Sequence, residues 1–463
     1  MFKQTIKNIH LVGIGGAGMS GIAEVLLKLD FKVSGSDKAN SEAIERLKLL
    51  GGNIYLGHDG SNVKNADVVV TSTAIAHDNI EVVKAKELKI PVIPRAEMLA
   101  ELMRLKRGIA VSGSHGKTST TSIISLILTK AGFDPTIVIG GKFNNIDSNA
   151  RIGNGDYFVA EADESDGSFL KLLPIYAVVT NIDYEHLDYY QDINHIKSAF
   201  ISFINKVPFY GCAALCLDDP NIKSIFPKIK RRYITYGLTN EAEVRAVNIT
   251  TEGFCSSFEV LYYGENLGRI QINLPGLHYV NNSLAAIAIT MELGVNYEVI
   301  REALINYRSV QRRFQIKGEI DNILVMDDYA HHPTEISATL KAMGESLKRR
   351  IIVVFQPHRF SRTKFLCKEF GAAFHMADKV IVTDIYAAGE ISIEGIDASL
   401  IVEEIKKNGH HDVEYISDFE EILEHLNKTI QPNDLILTLG AGNIYQISDK
   451  VVNILEDRKK ILA

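Results

Sequence analysis

The sequence has few basic clusters and no long apolar run, which excludes two broad classes of protein. Its 463 residues contain 50 lysines and arginines against 57 aspartates and glutamates, a net charge of -7, and the basic residues form no long run. Proteins that bind nucleic acid through its phosphates usually have a basic field, so we expect no nucleic-acid partner. No apolar stretch approaches the roughly 20 residues that span a bilayer, so we expect no membrane association.

The N-terminal residues lack the apolar core and the small-residue cleavage site of a signal peptide. We therefore expect a cytoplasmic protein. Cysteine is also scarce, with four residues whose spacing matches no zinc pattern. Cys212 and Cys216 lie in an apolar run, which predicts buried core thiols in a reducing compartment.

Short apolar runs alternate with helix-length amphipathic segments in three successive blocks of the chain. This alternation predicts an α/β protein with parallel sheets and crossover helices. Residues 243–274 differ, because they read as antiparallel strands with glycine turns that elaborate the central block. We predict three domains with the bounds 1–106, 107–310 and 311–463.

Glycine, hydroxyl, acidic, histidine and arginine residues gather where the apolar runs end in all three blocks. Ligands of parallel sheets bind outside the carboxyl ends of the strands, and a purely structural sheet has no reason to place polar groups there so consistently. The pattern therefore predicts a large composite site.

The first candidate motif is the glycine-rich segment 13–18, GIGGAG, which follows an apolar strand and opens a helix. Together with Asp37, which ends the next strand, it forms a dinucleotide-binding fingerprint. Its glycines let the backbone approach a diphosphate, whose charge meets the N-terminus of the helix. NAD and a UDP-sugar both fit this motif, and a tight turn without a ligand remains an alternative.

The second motif is the segment 113–119, GSHGKTS, which also lies between an apolar strand and a helix. Its backbone N–H groups can surround phosphates, Lys117 can reach the β- and γ-phosphates, and the Thr118 hydroxyl can bind Mg²⁺. Glu161 closes a neighbouring strand and is a candidate magnesium ligand, with further acids at 163, 164 and 166. His186, after the next strand, is a candidate ligand of a second ion. The alternative is an ordinary glycine turn.

The third block places DDYAHHP (327–333) and QPHRFSR (356–362) at strand ends. Arg359 and Arg362 stand three residues apart, so together they can meet one carboxylate or phosphate. Surface salt bridging explains either arginine alone, but two such clusters at strand ends favour a site.

Motifs in all three blocks, from about residue 9 to 445, together resemble the Mur ligases of peptidoglycan synthesis, and most closely the ligases that add L-alanine. The segments that carry the resemblance are GIGGAGMSGIAEVL, STAI, PRAEML, GSHGKTST, EADESDGSFL, NIDYEHLDYY, RRFQIKG, DDYAHHPTEI, FQPHRFSRT and DIYAAGE.

The resemblance implies a Rossmann-like N-terminal domain that binds the UDP-substrate, a central P-loop domain and a Rossmann-like C-terminal domain. It also implies an enzyme that uses ATP and Mg²⁺ to join L-alanine to the carboxylate of UDP-N-acetylmuramate through an acyl phosphate. The glycine motif would then bind UDP and not NAD. A sister ligase that adds a peptide, an NAD-binding oxidoreductase or sensor, and a regulatory ATPase remain the alternatives. We expect a monomer or a weak homodimer.

Site residues follow by similarity. The residues expected to bind the UDP-substrate are Gly13, Gly15, Gly16, Ala17, Gly18, Ser36, Asp37 and Ser72. Those expected to bind ATP are Gly113, Ser114, His115, Gly116, Lys117, Thr118, Ser119, Asn282, Arg313 and Asp328. The expected metal ligands are Thr118, Glu161 and His186. The expected catalytic residues are Lys117, Glu161, His186, His331, His358, Arg359 and Arg362.

The sequence departs from the family pattern at Tyr279, which stands where an asparagine is usual. Only Asn282 of the two expected asparagines is therefore carried over, with Asn281 as an alternative for the other. Ser114 and Ser119 replace threonines that are common in the family, and both keep the hydroxyl group.

Overall fold

The computed structural model describes residues 6–72, 74–145, 148–186 and 189–462, and its strands form three sheets. Helices connect the parallel strands of each sheet, so the predicted α/β class with three domains is confirmed. Within these described ranges, every helix is too short or too polar to cross a bilayer.

The first sheet has five parallel strands, which are β1 (Asn8–Val12), β2 (Lys32–Asp37), β3 (Asn53–Leu56), β4 (Val68–Thr71) and β5 (Val92–Pro94). Its helices are α1 (Ala17–Lys28), α2 (Glu42–Leu49), α3 (Ile80–Glu87) and α4 (Arg95–Met103). The strand order β3-β2-β1-β4-β5 reverses between β1 and β4. The loops after these two strands therefore diverge, which leaves room for a ligand at the carboxyl edge.

The central sheet has ten strands in the order β15-β14-β13-β12-β11-β10-β6-β9-β7-β8. They are β6 (Arg107–Ser112), β7 (Thr136–Phe143), β8 (Ser148–Arg151), β9 (Tyr157–Glu161), β10 (Tyr176–Val179), β11 (Cys212–Cys216), β12 (Tyr233–Gly237), β13 (Val244–Glu252), β14 (Cys255–Tyr262) and β15 (Glu265–Ile272). Its helices are α5 (Lys117–Lys130), α6 (Ile193–Ile204), α7 (Pro220–Ile225), α8 (Leu277–Glu292) and α9 (Tyr297–Ile305).

Strand β6 lies between β9 and β10 and runs parallel to both, so the segments that follow all three strands leave the same edge of the sheet. Two-residue turns join β13, β14 and β15, which confirms the predicted antiparallel elaboration. Cys212 and Cys216 are free, and burial raises the pKa of both thiols to about 12, as expected for core cysteines.

Helix α5 is buried over residues 119–128 although five of these side chains are hydroxyls. The hydroxyls of Thr121, Ser125 and Thr129 each donate to the carbonyl four residues earlier, at 2.7–2.8 Å. These local hydrogen bonds satisfy several of the hydroxyls, although Oγ1 of Thr120 has no partner among the described residues. The helix that follows segment 113–119, called the phosphate-loop segment below, can therefore pack inside the domain.

The third sheet has six strands in the order β16-β17-β21-β18-β19-β20. They are β16 (Gln315–Ile320), β17 (Ile323–Asp328), β18 (Arg350–Phe355), β19 (Lys379–Val382), β20 (Val413–Tyr415) and β21 (Asp434–Leu439). Its helices are α10 (Pro333–Ser346), α11 (Phe360–Ala373), α12 (Ser399–Lys407), α13 (Phe419–Thr429) and α14 (Tyr445–Leu462). Only the edge strand β16 is antiparallel to its neighbour among the pairings described for this sheet.

The chain groups into two compact units. The first contains Met1–Asn248, Phe258–Gln271 and Val280–Val310, and the second contains Ile249–Ser257, Ile272–Tyr279 and Gln311–Ala463. The first and central sheets therefore belong largely to one unit and the third sheet to the other. The domain bounds at 106 and 310 stay predictions.

Candidate active site

A cavity of about 760 Å³ lies at the carboxyl edge of the first sheet, where the strand order reverses. Its volume is in the range of small-molecule sites. Six of the eight residues predicted to bind the UDP-substrate line it, namely Gly13, Gly15, Gly16, Gly18, Asp37 and Ser72. The Asp37 carboxylate accepts a hydrogen bond of 2.8 Å from the Gly15 amide. The acid and the glycine loop are therefore assembled as the fingerprint predicts.

The other two predicted residues differ. Ser36 is fully buried and does not line the cavity. Ala17 begins helix α1, but its side chain lies outside the described part of the structure. The sequence reasoning also missed His58, which lines the cavity. The signal for His58 was its place after β3, a strand that was not predicted.

A buried polar cluster lies beside this cavity and is centred on Glu81, which is fully buried. Its carboxylate accepts hydrogen bonds from the Ser36 hydroxyl and from the Asn62 amide at 2.6 Å, and it lies 3.2 Å from Nδ1 of His58. Burial on its own would raise the pKa of Glu81, but His10 together with Ser36 and Asn62 brings it down to about 2. Glu81 is therefore an ionised group that orients His58 at the wall of the cavity.

The phosphate-loop segment connects β6 directly to α5. Gly116 has a φ of +82°, and a Cβ atom at this position would lie 2.6 Å from Oδ1 of Asn282. Only glycine tolerates both the conformation and the approach. The structure thus places Asn282 against the loop, together with Ser119, which is buried in the first turn of α5.

The segment after β10 fixes the shape of the loop. Asn181 accepts a hydrogen bond of 2.8 Å from the His115 amide, and Thr180 donates to the His115 carbonyl at 2.5 Å. The Asp183 amide donates to the Ser114 hydroxyl at 2.9 Å, and an Asp183 carboxylate oxygen lies 2.9 Å from Nε2 of His115. Sequence reasoning missed Thr180 and Asn181, whose only signal was their place at a strand end.

The Lys117 ammonium lies inside the loop. It donates to the carbonyl oxygens of Gly113 and Ser114 at 2.6 and 3.2 Å and to Oε1 of Glu164 at 2.8 Å. Burial would lower the pKa of Lys117, but the charges of Glu164 and Asp163 outweigh it and hold the pKa above its ordinary value. The lysine is therefore charged and in place to meet phosphate oxygens.

Thr118 and Glu161, the two predicted oxygen ligands of Mg²⁺, are adjacent and hydrogen-bonded. Glu161 also accepts a hydrogen bond of 2.9 Å from the Gly140 amide. Burial raises the pKa of Glu161 in spite of this bond and of the nearby Lys117 charge. A partly buried carboxylate beside a hydroxyl is a hard-oxygen donor set, and it fits a magnesium ion.

His186 lies beside two carboxylates, those of Glu164 and Glu185, and forms a ligand group separate from Thr118 and Glu161. Its Nε2 is 3.4 Å from Glu164 and 3.7 Å from Glu185, and the three side chains could share one ion. Burial would lower the pKa of His186, but Glu185 and Glu164 outweigh it and raise the pKa. His186 also has a φ of +57°, an uncommon conformation that is often retained at functional positions.

In the second unit, Asp328 ends β17 and accepts hydrogen bonds of 2.8 Å from the amides of Phe314 and Ala330. Burial raises the pKa of Asp328 to about 6, although Arg313 and these two bonds oppose the rise. The Arg313 guanidinium lies 3.4 Å from Glu335 and stacks over the Tyr329 ring at 5.2 Å. The predicted pair Arg313 and Asp328 is thus brought together.

Its neighbour Arg312 has a structural place that the sequence did not indicate. Its Nε donates to Asp327 at 2.9 Å, and its Nη atoms donate to the carbonyls of Gly442 and Gly440 at 2.8 and 2.6 Å. Asp327 is fully buried. Arg312 therefore ties the loop after β21 to the start of the third sheet.

The catalytic candidates at two strand ends of the third sheet also meet. The rings of His331 and His358 are 5.5 Å apart, and an Arg362 nitrogen lies 3.0 Å from Nδ1 of His358. Arg359 lies 4.0 Å from Glu390 and has a φ of +73°. Two histidines and two arginines therefore share one edge of this sheet.

Tyr279, the departure from the family pattern, is buried. Its ring stacks edge-on against Phe314 at 5.9 Å and lies 4.4 Å from the His278 ring. Burial and the Arg313 charge lower the pKa of His278 to about 4, so this cluster is apolar and neutral at pH 7. At this position the side chain serves packing.

Three models of one protein family match successive parts of the chain. The "Mur ligase family, catalytic domain" matches residues 8–107, the "Mur ligase middle domain" residues 111–290, and the "Mur ligase, glutamate ligase domain" residues 312–442. The chain belongs to the Mur ligase family. The resemblance inferred from the motifs is therefore confirmed.

Individual Mur ligases are similar over nearly the whole length. The UDP-N-acetylmuramate–L-alanine ligase of Geotalea daltonii is 56% identical over 98% of this chain and 99% of its own. The crystal structure of the UDP-N-acetylmuramate–alanine ligase of Thermotoga maritima has a TM-score of 0.82 at 29% identity, covering 98% of this chain and all of that one. A murein peptide ligase from Psychrobacter arcticus shares the fold, with a TM-score of 0.72 at 24% identity over 97% of this chain and 98% of its own.

Proposed function

We propose that this Mur ligase joins L-alanine to the carboxylate of UDP-N-acetylmuramate at the expense of ATP, in the synthesis of peptidoglycan precursors. The observation that carries the proposal is the 56% identity to an alanine ligase over 98% of the chain. The assembled phosphate loop around Lys117 and the cavity at the glycine loop supply the sites that such a reaction needs.

The chemistry requires activation, because a carboxylate does not condense with an amine in water when hydroxide must leave. The γ-phosphoryl group of ATP passes to a carboxylate oxygen of the substrate, which gives an acyl phosphate and ADP. The amine of alanine then attacks the acyl carbon, and the tetrahedral species expels phosphate as the amide forms. Alanine reacts as the neutral amine, and its nitrogen gives up one proton to a base as the amide forms.

The first step brings a carboxylate against a triphosphate, so negative charge is the main obstacle. The backbone N–H groups of the segment 113–119 and the ammonium of Lys117 would offset this charge. In the structure Glu164 is the acidic partner of Lys117. The phosphates of ATP would take over this ammonium.

Mg²⁺ is part of the proposal, since Thr118 and Glu161 offer a hydroxyl and a partly buried carboxylate side by side. Glu164, Glu185 and His186 offer a second set of donors. When bound, magnesium neutralises phosphate charge and polarises the transferred group. The protein residues hold the ion and shield it from bulk water.

The cavity at the first sheet would bind the UDP moiety, with its diphosphate at the N-terminus of α1. Asn282, Arg313 and Asp328 are proposed to bind the nucleoside of ATP. His331, His358, Arg359 and Arg362 are proposed to serve alanine and the reacting carboxylate, and His186, His331 and His358 are the candidate bases. We also propose a cytoplasmic monomer or weak homodimer, which sedimentation of the purified enzyme would test.

The decisive experiment measures phosphate release from Mg-ATP with UDP-N-acetylmuramate and L-alanine added singly and together. We expect release only when both are present, and none with Lys117→Ala. A tripeptide in place of alanine and NADH in place of ATP test the sister-ligase and oxidoreductase alternatives. Release that is indifferent to both substrates would contradict the ligase reaction.

A further inference from the structure

Arg95 connects the two sites of the first unit. It is the first residue of α4, directly after β5, and it lines the cavity of the glycine loop. Its Nη2 also donates a hydrogen bond of 3.1 Å to Oδ2 of Asp163, which follows β9. One guanidinium group therefore contacts both the cavity and the acidic segment beside the phosphate loop.

The position of Arg95 depends on a glycine of the motif. A Cβ atom on Gly18 would lie 2.1 Å from Nη1 of Arg95, so any other residue would displace the guanidinium. Gly18 belongs to the first turn of α1, where the positive end of the helix dipole favours an anion. Nη1 thus lies where a diphosphate would bind, and Nη2 faces the central domain.

The ion pair has little reason to exist for folding alone. The side chains of Arg95 and Asp163 are 31% and 41% exposed, and ion pairs of such exposure contribute little to stability. The charge of Asp163 also helps to raise the pKa of Lys117 in the phosphate loop. A substitution of Arg95 would therefore alter the electrostatic surroundings of Lys117 through Asp163.

We propose that Arg95 binds the diphosphate of the sugar nucleotide with one edge of its guanidinium and holds Asp163 with the other, so that the two nucleotide sites are coupled. The inference rests on the proposed function and adds to it a residue that links the two substrates. The planar fork of arginine can make both contacts at once, which a lysine ammonium does less well. Without Arg95, Asp163 is free to turn toward Lys117 and to compete with ATP.

The test is calorimetric titration of the full-length enzyme with UDP-N-acetylmuramate, in the presence and absence of a non-hydrolysable ATP analogue with Mg²⁺. In the wild type we expect the analogue to tighten sugar-nucleotide binding, and the reverse titration to give the same factor. Arg95→Ala should weaken binding by about tenfold or more and bring the coupling factor close to one. Asp163→Asn should keep most of the affinity and lose the coupling, and Arg95→Lys should recover part of the affinity without the coupling.

Arg104→Ala is the matched control, since Arg104 follows the same helix, pairs with the exposed Glu101 at 2.6 Å and does not line the cavity. It should bind as the wild type does. Wild-type affinity and coupling in Arg95→Ala would overturn the inference, as would full coupling in both Asp163→Asn and Arg95→Lys if the alanine variant does not fold. A wild-type enzyme that binds no UDP-N-acetylmuramate would instead contradict the proposed function.

Discussion

The ammonium of Lys117 donates a hydrogen bond of 2.8 Å to the buried carboxylate of Glu164. The loop lysine is thus neutralised by an acid 47 residues further along the chain. Because the phosphates of ATP would need the same ammonium, they would compete with Glu164 for Lys117 when the nucleotide binds.

Glu164→Gln should therefore destabilise the free enzyme and make it more dependent on ATP. Removing one partner of a buried pair costs roughly 3–5 kcal/mol of the free energy of unfolding. The triphosphate supplies the missing charge, so ATP added without Mg²⁺ should raise the melting temperature of the variant more than that of the wild type. Thermal denaturation with and without metal-free ATP measures both effects, because it leaves aside the proposed role of Glu164 as a metal ligand. Glu97→Gln, at an exposed pair with Lys171, is the control, and equal ATP-induced shifts in all three proteins would count against the idea.

Glu81 should make the enzyme sensitive to acid. Its pKa is lowered from 4.5 to about 2 in the folded state, so its stabilising contribution is present above pH 4.5 and is lost as the pH falls toward 2. The contribution at neutral pH is on the order of 3 kcal/mol, and Glu81→Gln should remove it. Urea denaturation between pH 7 and about pH 3.5 should show a steeper fall for the wild type than for the variant. Glu87→Gln, exposed on the same helix, should follow the wild-type curve, and parallel curves for Glu81→Gln would refute the assignment.

Substitution of Arg312 should mainly lower stability, whereas substitution of its neighbour Arg313 should mainly lower activity. Arg312→Ala leaves the buried Asp327 without its cationic partner, although the hydrogen bond from Thr438 remains, and frees two loop carbonyls, so we expect a loss of about 3 kcal/mol. Arg312→Lys should not restore it, because lysine lacks the fork. Arg313→Ala should lower the free energy of unfolding by less than Arg312→Ala does, because its ion pair with Glu335 is a single contact of 3.4 Å, while it should raise the KM for ATP about tenfold. Chemical denaturation and steady-state kinetics distinguish the two, and the opposite assignment of effects would disprove the division.

Tyr279 should matter for packing and not for nucleotide binding. Tyr279→Asn restores the residue usual in the family but removes an aromatic ring from a buried cluster, so we expect a loss of about 3 kcal/mol or more. Tyr279→Phe keeps the ring and should lose far less. Denaturation curves together with the KM for ATP provide the measurement. A Tyr279→Asn variant that is stable and binds ATP more tightly would show that the position serves the nucleotide after all.

Removing the metal should stop phosphate release. Chelation with EDTA should abolish the activity and added Mg²⁺ should restore it, since two of the proposed ligands are hard oxygens. Thr118→Ala and Glu161→Gln should each raise the Mg²⁺ concentration for half-maximal activity by about tenfold or more. Thr129→Ala, at the far end of the same helix, should leave it unchanged. Unaltered metal dependence in both loop variants would place the ion elsewhere.

Part of the fold and of the site could be read from the sequence because the relevant signals are local. Each motif consists of consecutive residues between an apolar strand and a helix. This holds for the glycine motif, the phosphate-loop segment and the strand-end clusters. The apolar pattern of the preceding strand therefore shows where each motif begins. The strands β7, β8 and β12 of the central sheet were not predicted, and neither were β3, β16 and β20. The last three have a common cause. They lie at sheet edges and carry few buried residues, so their pattern is weak.

The sequence by itself determined the three α/β blocks, the glycine fingerprint with Asp37 and the phosphate loop with Lys117, since these depend on neighbouring residues and on their order. Only the tertiary structure decided that Glu164 neutralises Lys117, that Thr180 and Asn181 shape the loop, and that Arg95 reaches Asp163. It also decided that Ser36 is buried against Glu81 and that Arg312, beside Arg313, ties the sheet to a loop. These contacts join residues that are far apart in the chain, and which acid or arginine makes them depends on burial and on strand order, which no local pattern encodes.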